Sequence, residues 1–360
     1  MVRFVYNELD MLSDPIEILL DRALQARATH LEDFPVLEGS ENAPFDGAFR
    51  LFNGFLEGCP SLVVDLYGRT LVLHDYAGDQ PAAQSVLARA VHHLRERVAW
   101  VQAVIVKQRE AGRADKRGGI VVHGQVVDKK IRELGVWYAI DLTLNLDASL
   151  YLDTRNLRGW AIDHLAGQSV LNTFAYTGSL GVAALAGGAS RVVQLDLNRR
   201  FLELARASYA LNDFPVHRED FLAGDFWLHI NRLKRSGQLF DCVMVDPPFF
   251  SLTGRGRVDL ISDYQRVINK VRPLVGHGGT LIVINNALFL SGAAYLRLLE
   301  QLCADGYLAV ETLVPVPADF TGFAETRVGQ PPADPAPFNH STKIAILRVK
   351  RKDLRPARPA

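Results

Sequence analysis

The rhythm of apolar and polar residues changes near residue 140 of the chain. The first part combines helical stripes with short apolar runs such as "SLVVDL" and "RTLVLHDY", which Tyr67 and Gly68 join in a hairpin pattern. From about residue 150, apolar runs of strand length alternate with helical stripes, from "SVLNTF" and "RVVQLD" to "DCVMVD" and "GTLIVIN". Such alternation predicts βαβ units and a parallel sheet that is covered on both faces.

The change of rhythm predicts two domains. We expect a small α+β domain at residues 1–140 and an α/β domain at residues 141–360. In the first domain, the stripe in "IEILLDRALQARATHL" predicts a helix with one buried face.

Composition and charge narrow the class of protein. The values of 48% hydrophobic and 22% charged residues are those of a globular protein, and the net charge is zero. A nucleic-acid partner would therefore be recognised through local basic patches. The cysteines Cys59, Cys242 and Cys303 match no metal-binding spacing and fit a reducing compartment. Because we find no signal peptide and no apolar run of membrane-spanning length, we expect a cytoplasmic protein without a metal or a membrane partner.

Acidic residues are predicted at the ends of successive strands in the second domain. The first strand leads into "AYTGSLG", where Gly178 allows the backbone to approach a ligand closely. Asp196 ends the next strand at the spacing of a ribose-binding acid, Asp220 with Phe221 is expected after the third strand, and Asp246 ends the fourth. Gly178 alone would also fit a turn, and Asp196 alone would fit a helix N-terminus. The ordered series predicts a cofactor site at this edge of the sheet.

From about residue 50 onward, the chain resembles the class I S-adenosylmethionine-dependent methyltransferases, and more narrowly the enzymes (types I and K/L) that methylate large-subunit ribosomal RNA. The resemblance lies in "NGFLEGCPSLVVDLYG", "LDASLYLDTRNLR", "NTFAYTGSLGVAALAGGASRVVQLDLN" and "VDPPFFS". It implies a Rossmann-like, mostly parallel sheet with a C-terminal antiparallel strand, S-adenosyl-L-methionine as cofactor, and RNA as partner. Similar enzymes also suggest a homodimer. The additional RNA-binding module of similar enzymes has no match in the first 40 residues.

The resemblance implies a set of cofactor contacts. Tyr151 and Arg155 are expected near the cofactor, and the segment after the first strand is expected around its methionine part. Asp196 is expected on the ribose hydroxyls, and Asp220 with Phe221 on the adenine. The full set of expected contacts is Tyr151, Arg155, Asn172, Phe174, Ala175, Tyr176, Thr177, Gly178, Asp196, Leu197, Asn198, Asp220, Phe221 and Asp246.

The segment "FDCVMVDPPFFS" ends a buried strand on a carboxylate and two prolines. Proline removes a backbone donor and fixes φ, so Asp246 and the following rings are expected in fixed positions. The pattern resembles the signature of exocyclic-amine methyltransferases, in which the acid and the Pro247 carbonyl accept from the amine and a ring such as Phe249 stacks on the base. Asn285 and Asn286 resemble instead the guanine-N7 half of bifunctional enzymes, although that half usually carries threonine at the position of Phe249. The expected catalytic residues are Asp246, Pro247, Phe249, Asn285 and Asn286.

Whether a base carbon or a base nitrogen accepts the methyl group depends on the presence of a cysteine nucleophile. Methylation of pyrimidine carbon 5 needs a cysteine nucleophile, and similar enzymes of that type carry it after the fifth strand, where this chain has Asn285 and Asn286. Cys242 lies within the fourth strand, where a small buried residue is expected. We therefore expect methylation of a base nitrogen, with guanine favoured, in large-subunit ribosomal RNA. Formation of 5-methylcytosine, methylation of a small molecule or a protein, and cofactor binding without catalysis stay open as alternatives.

Basic residues form local clusters that are candidates for phosphate contacts. A solvated surface is the alternative interpretation of each cluster. The residues are Lys107, Arg109, Arg113, Lys116, Arg117, Lys129, Lys130, Arg132, Arg255, Arg257, Arg348, Lys350, Arg351 and Lys352.

Overall fold

The computed structural model describes residues 14–32, 34, 45–77, 81–109, 118–253, 256–260 and 263–351. The helices in these ranges are α1 (Ile16–His30), α2 (Gly54–Glu57), α3 (Pro81–Arg97), α4 (Arg155–His164), α5 (Ser179–Ala186), α6 (Arg199–Leu211), α7 (Phe226–Arg235), α8 (Tyr264–Val271), α9 (Gly292–Cys303) and α10 (Ala318–Thr321). The strands are β1 (Ala48–Asn53), β2 (Leu62–Tyr67), β3 (Thr70–Asp75), β4 (Ala103–Gln108), β5 (Ile120–His123), β6 (Lys130–Glu133), β7 (Val136–Ala139), β8 (Ser169–Thr173), β9 (Arg191–Asp196), β10 (Phe221–Ala223), β11 (Phe240–Val245), β12 (Phe250–Thr253), β13 (Gly256–Asp259), β14 (Val275–Asn285), β15 (Leu308–Val314) and β16 (Lys343–Val349).

The chain divides into two compact units, and it contributes several segments to each. The first unit comprises Met1–Ile131, Asp141–Ala148 and Ala318–Gln330, and the second comprises Arg132–Ile140, Ser149–Pro317 and Pro331–Ala360. A single boundary near residue 140 is therefore too simple a description. Strand β7 belongs to the second unit because the Trp137 N–H donates to Asn212 Oδ1, at the end of α6, over 2.9 Å.

The first unit is built on a five-stranded sheet in the order β1-β2-β3-β4-β5. Strands β2 and β3 form the predicted hairpin, with Tyr67 opposite Thr70. The predicted helix α1 buries its apolar stripe in the core of this unit. The fully buried Arg27 of α1 makes two bonds of 3.0 Å to the Glu57 carboxylate. Since a buried charge is tolerated when it is paired, this ion pair fixes α1 to α2.

The second unit contains a seven-stranded sheet in the order β10-β9-β8-β11-β14-β16-β15. Neighbours from β10 to β14 are parallel, and β16 is inserted in the antiparallel sense between β14 and β15. Side chains of β11 alternate between two cores: Val243 and Val245 enter one, and Cys242 and Met244 enter the other. The predicted Rossmann-like α/β sheet, covered on both faces and carrying an antiparallel C-terminal strand, is thereby confirmed.

Because β8, β9, β11 and β14 run parallel, their carboxyl ends lie at one edge of the sheet. The order of strands reverses between β8 and β11. Open α/β sheets bind ligands at such a switch point. The Thr173 hydroxyl at the end of β8 donates to the Met244 carbonyl of β11 over 2.7 Å, which joins the two strands on either side of the reversal.

Candidate active site

The loop after β8 has an unusual backbone conformation. Phe174, Tyr176 and Gly178 have positive φ angles of 56°, 52° and 78°. A residue with a side chain adopts this left-handed conformation only where its surroundings hold it there. The Ala175 N–H donates to the Leu195 carbonyl over 2.9 Å, and the Gly178 N–H donates to the Ala175 carbonyl over 2.8 Å. The loop is thereby preorganised at the switch point.

Asp196, the last residue of β9, holds this loop through its carboxylate. Its Oδ2 accepts from the Tyr176 N–H and its Oδ1 accepts from the Asn198 N–H, each over 2.8 Å. Burial raises the pKa of Asp196, against the effect of these two bonds. Asn198 caps α6 by accepting from the Arg200 N–H, and Leu197 is exposed. The structure places Asp196 at the predicted edge, while its contact with ribose hydroxyls stays a prediction.

The side-chain amides of Asn172 and Gln194 are buried beneath the loop. Of these two residues, Gln194 was not predicted from the sequence. The Asn172 Nδ2 donates to Gln194 Oε1 over 2.8 Å, and the Gln194 Nε2 donates to the Gly178 carbonyl over 3.1 Å. A Cβ on Gly181 would lie 2.2 Å from Gln194 Nε2, so a larger residue at that position would displace the Gln194 amide. Asn172, expected as a cofactor contact, therefore uses its side chain to support the loop.

Two further residues of the loop point into the protein. The Thr177 hydroxyl donates to the carbonyl of Ser149, a residue whose φ angle is 60°. The side chains of Thr177 and Ala175 are buried. Their backbone is therefore the part that can contact a ligand.

Arg155 is the first residue of α4, and Tyr151 precedes the short 3-10 turn that leads into this helix. The exposed Tyr151 ring is 5.1 Å from the Tyr176 ring, so it flanks the loop after β8. Arg155 Nε donates to Glu133 Oε2 over 3.0 Å, and the buried Arg158 donates to Glu133 Oε1 over 2.6 Å. Burial opposes ionisation of Glu133, but the charges of Arg158 and Arg155 outweigh it and lower the pKa of Glu133. Arg155 thus anchors this segment, and its direct contact with the cofactor stays a prediction.

The expectation that Asp220 and Phe221 follow the third strand is wrong. Strand β10 begins at Phe221 and runs parallel to β9, with Ala223 opposite Asp196. Asp220 therefore precedes the strand and lies away from the carboxyl edge. Its Oδ1 is 2.7 Å from an Nη of Arg191, the first residue of β9. This ion pair holds the amino ends of the two strands together.

Asp225 occupies the position at the edge that was expected for Asp220. The Gly224 N–H donates to the Asp196 carbonyl over 2.9 Å, which fixes the end of β10 beside the end of β9. The Asp225 carboxylate caps α7 by accepting from the Leu228 N–H over 2.9 Å. The sequence signal for this residue is "GDFW", a capping acid directly before a helix with an apolar stripe.

Aromatic rings pack against one another near β10 and the loop after β8. The Phe226 ring stacks on the Phe174 ring with 4.5 Å between centroids. Phe221 is buried, with its ring centroid 5.1 Å from that of Tyr209 and 4.8 Å from the guanidinium carbon of Arg206. Phe221 is therefore a core residue.

Asp246 follows β11 in a different electrostatic environment. Burial, together with the charge of Asp153, raises the pKa of Asp246 to about 7. Among the residues that the structure describes, none donates a hydrogen bond to its carboxylate. The buried Pro247 fixes the backbone that follows. A carboxyl group poised near neutral pH can exchange a proton during a reaction.

Phe249 and Phe250 are exposed over 48% and 55% of their surface. Phe250 begins the two-stranded hairpin of β12 and β13, in which it stands opposite Asp259. The Leu260 N–H closes this hairpin by donating to the Phe249 carbonyl over 3.1 Å. Exposed rings on a fixed backbone are suited to stacking on a flat ligand such as a base.

The two asparagines that end β14 differ in exposure. Asn285 is fully buried, its Nδ2 donates to the Leu260 carbonyl over 3.2 Å, and its Oδ1 accepts from the Ala287 N–H over 3.0 Å. The expectation that Asn285 offers its amide to a base does not fit this geometry, because both polar atoms are bonded within the protein. Asn286 is exposed and stays a candidate for base contact.

None of the three cysteines directly follows a strand of the edge. Cys242 is fully buried within β11, and burial raises the pKa of its thiol. Cys303 ends α9, and Cys59 is buried in the first unit. Because the thiolate is the nucleophilic form of cysteine, the buried Cys242 is a structural residue.

The basic clusters are only partly available for phosphate contacts. Lys107 is fully buried, donates to the carbonyls of Asn145 (2.7 Å) and Asp147 (3.0 Å), and has its pKa lowered by burial to about 8. The expectation that Lys107 contacts phosphate is therefore wrong.

The other basic residues differ in how far they are available. Arg109 pairs with Asp147 at 3.1 Å, whereas Lys129, Lys130, Arg132 and Lys350 are exposed. Arg348 pairs with Glu311, and Arg351 donates to the Pro273 carbonyl. Outside the described residues lie Arg113, Lys116, Arg117, Arg255 and Lys352, together with the side chain of Arg257.

The edge is acidic. It carries Asp196, Asp225 and Asp246, and Asp153 lies close enough to contribute to the raised pKa of Asp246. Carboxylates in this arrangement fit a ligand with positive charge.

Within residues 14–351, apart from the gaps given above, no three His, Cys, Asp or Glu side chains are arranged to hold a metal ion. The same ranges contain no helix that is long and apolar enough to cross a bilayer.

Comparison with known proteins places the chain in a family. Residues 50–316 match the model of a family described as S-adenosylmethionine-dependent methyltransferase. The ribosomal RNA large subunit methyltransferase I of Photobacterium profundum is 26% identical over 265 residues, which are 73% of this chain and 66% of that protein. The ribosomal RNA large subunit methyltransferase K/L of Colwellia psychrerythraea is 30% identical over 255 residues, which are 66% of this chain and 34% of that protein. The chain thus spans less than two thirds of these relatives' own length.

Solved structures share the fold. The protein SMU.776, crystallised with SAH, superimposes with a TM-score of 0.78 at 20% identity and covers 94% of this chain and 82% of its own. A SAM-dependent methyltransferase from Agrobacterium tumefaciens gives a TM-score of 0.58 at 16% identity, covering 86% of this chain and 92% of its own. With the family match extending over more than half of the chain, and the acidic edge suited to a cationic cofactor, this protein belongs to the S-adenosylmethionine-dependent methyltransferases and is a transferase that uses S-adenosyl-L-methionine.

Proposed function

We propose that this enzyme methylates a base nitrogen of large-subunit ribosomal RNA in the cytoplasm, with guanine as the favoured base. The observation that carries the proposal is the end of β11, where a carboxyl group with a pKa of about 7 is followed by two prolines and two exposed rings. The names of the similar ribosomal RNA methyltransferases support RNA as the substrate class. A homodimer stays a prediction.

The cofactor side of this site would consist of the loop after β8 and two carboxylates. When bound, S-adenosylmethionine supplies an activated methyl group, so the chain mainly has to align the acceptor with it. Asp196 would accept from the ribose hydroxyls in charge-assisted bonds. Asp225, which replaces Asp220 as the acid that follows β10, would accept from the adenine amino group.

On the acceptor side, Asp246 would orient a base amine and take up its proton. An exocyclic amine would donate one N–H to Asp246 and the other to the Pro247 carbonyl, while Phe249 stacks on the base. As the new nitrogen–carbon bond forms, the methyl–sulfur bond would break with its electron pair left on sulfur, and the amine proton would pass to the Asp246 carboxylate. The pKa of about 7 suits Asp246 to this role. Guanine N7 is the second nitrogen acceptor. It carries its own lone pair, so its methylation would need no proton transfer to Asp246.

Carbon-5 methylation of cytosine stays the chemical alternative, and the buried position of Cys242 argues against it. Methylation of a small molecule or a protein, and cofactor binding without catalysis, are alternatives of a different class. Each of the three methyl-transfer alternatives predicts a different labelled product, and cofactor binding without catalysis predicts no labelled product.

The experiment is methyl transfer from labelled cofactor to total RNA from a strain that lacks this gene, followed by mass mapping of the modified nucleosides. We expect ribonuclease-sensitive label and a methylated guanine. With an exocyclic amine as acceptor, Asp246→Asn should lower the label about 100-fold or more, whereas the matched variant Asp220→Asn should retain it, because Asp220 lies away from the edge. Label in a ribonuclease-resistant protein fraction would contradict the RNA substrate, and 5-methylcytosine would contradict the nitrogen acceptor.

A further inference from the structure

A buried lysine at the acceptor side has no part in the reaction proposed above. Lys343, the first residue of β16, is fully buried. Its Nζ donates to the carbonyl of Ala287 over 3.0 Å and to the carbonyl of Ser341. Burial lowers the pKa of Lys343 to about 8, and no acidic side chain in the described part of the chain pairs with it. A buried ammonium without a carboxylate is unfavourable for folding, so its presence calls for a reason.

Lys343 belongs to a continuous series of hydrogen bonds across the ends of β14 and β16. It stands opposite Asn285 in the strand register. Asn285 Oδ1 accepts from the Ala287 N–H, and Lys343 donates to the Ala287 carbonyl, so the two side chains hold both backbone groups of Ala287. In the other direction, Asn285 Nδ2 donates to the Leu260 carbonyl, and the Leu260 N–H donates to the Phe249 carbonyl.

Two exposed segments are attached to this series. One is the segment of residues 286–289, here called the acceptor loop, in which Ala287 is buried while Asn286, Leu288 and Phe289 are exposed. The other contains the exposed ring of Phe249. Because the segments follow the neighbouring parallel strands β14 and β11, they lie at the same edge of the sheet. Their relative position is therefore set by hydrogen bonds that meet at Asn285.

We propose that Lys343 and Asn285 are positioning residues that fix the acceptor loop and Phe249 around the base that is methylated. The proposal rests on the proposed function, since it assigns the two segments to the same base. Lysine is long enough to reach from β16 to the Ala287 carbonyl, and it brings N–H donors that an apolar residue of similar length lacks. The lysine thus serves the geometry of the acceptor side at the expense of folding stability.

The central variant is Lys343→Met, which keeps the length of the side chain and removes its donors. We expect kcat for RNA methylation to fall about 10- to 100-fold, since small misplacements of reacting groups have effects of this size. The cofactor dissociation constant should change less than about twofold, because the loop after β8 does not depend on Lys343. Amide hydrogen exchange in the acceptor loop should become faster by about tenfold or more.

Asn285→Ala provides a second variant should Lys343→Met fail to fold. Both variants should give similar losses of kcat, and the double variant should lose little more than either, because they interrupt one series of bonds. Lys107→Met is the matched control. It removes a buried lysine with the same kind of carbonyl contacts in the first unit, and it should leave exchange in the acceptor loop unchanged.

A folded Lys343→Met variant with unchanged kcat overturns the proposal, whether or not exchange in the loop increases. Additive losses in the double variant overturn it as well. The exchange measurement uses no RNA and so separates the two proposals. If the wild-type protein methylates no RNA but the variant loses protection in the acceptor loop, the proposed function fails and the assignment of Lys343 and Asn285 to the loop stands.

Discussion

Asp196 and Asp246 occupy equivalent places in the sequence, at the ends of two apolar strands in one sheet, but their environments differ. Asp196 accepts hydrogen bonds from two backbone N–H groups and so is part of the loop architecture. Asp246 lies near Asp153, and its pKa is raised to about 7. A carboxylate that is already bonded defines a binding surface, whereas a carboxyl group poised near neutral pH can change its protonation during catalysis. On this difference rests our proposal that Asp196 contacts the cofactor and that Asp246 contacts the acceptor.

The largest expected effect is on turnover in Asp246→Asn. With an exocyclic amine as acceptor, the rate of methyl transfer should fall about 100-fold or more, because the variant cannot take up a proton. In the wild-type enzyme the single-turnover rate should rise with pH around 7, as Asp246 ionises, and the variant should lose this dependence. Calorimetry should show nearly unchanged cofactor affinity. Equal losses of rate and affinity would place Asp246 on the cofactor side instead.

The next effect concerns cofactor affinity in Asp196→Ala. The dissociation constant should increase about tenfold or more, since charge-assisted hydrogen bonds contribute about 1.5–3 kcal/mol. Asp225→Ala should weaken binding in the same direction, and Asp220→Ala should leave it unchanged because its carboxylate pairs with Arg191. A loss of affinity in Asp220→Ala without loss of structure would contradict the revised assignment.

The sequence did not predict which acid follows β10, as the different positions of Asp220 and Asp225 show. The long apolar runs of β8, β9, β11 and β14 made the sheet and the position of Asp196 predictable. Strand β10 spans three residues and has an acid on either side, so no apolar run marks its direction or its end. The register with β9 identifies Asp225 as the acid that follows the strand.

Burial accounts for the other differences between the predictions from the sequence and the positions of the residues in the structure. Asn285 and Asn286 are identical in type, but Asn285 is still within β14 and opposite Lys343, whereas Asn286 lies outside the strand. Lys107 lies near the end of an apolar strand, where a lysine is usually exposed. Its Nζ instead reaches backbone carbonyls about 40 residues away in the sequence, a contact that no local pattern indicates.

A smaller effect should appear in the pH dependence of stability. The raised pKa of Asp246, about 7 against an ordinary 3.8, means that between these values the folded protein holds a proton that the unfolded chain has lost. Its contribution to the free energy of unfolding therefore decreases as the pH rises through this window. Asn resembles the protonated form, so Asp246→Asn should match the wild-type thermal midpoint near pH 4 and exceed it by about 5–10 °C at pH 8. An equal difference at both pH values would contradict the raised pKa.

The smallest effect on activity is expected for Cys242→Ala. Methyl transfer should stay within about twofold, because a fully buried thiol inside β11 cannot reach a base. The thermal midpoint should fall by about 2–4 °C, as the variant leaves a small cavity between neighbouring strands. Loss of all transfer in a folded variant would support the 5-methylcytosine alternative. It would also contradict the proposal that Asp196 serves the cofactor and Asp246 the acceptor.

The insertion of β16 between β14 and β15 has a consequence for protein synthesis. In the described sheet β15 has β16 as its neighbour, and β14 pairs with β16 along its carboxyl half. On the ribosome, β14 and β15 emerge first and remain with unpaired backbone groups until residues 343–349 follow. The nascent chain can thus complete the part of the sheet around β8 and β9 early, while the part that includes Lys343 is finished only after β16 has emerged.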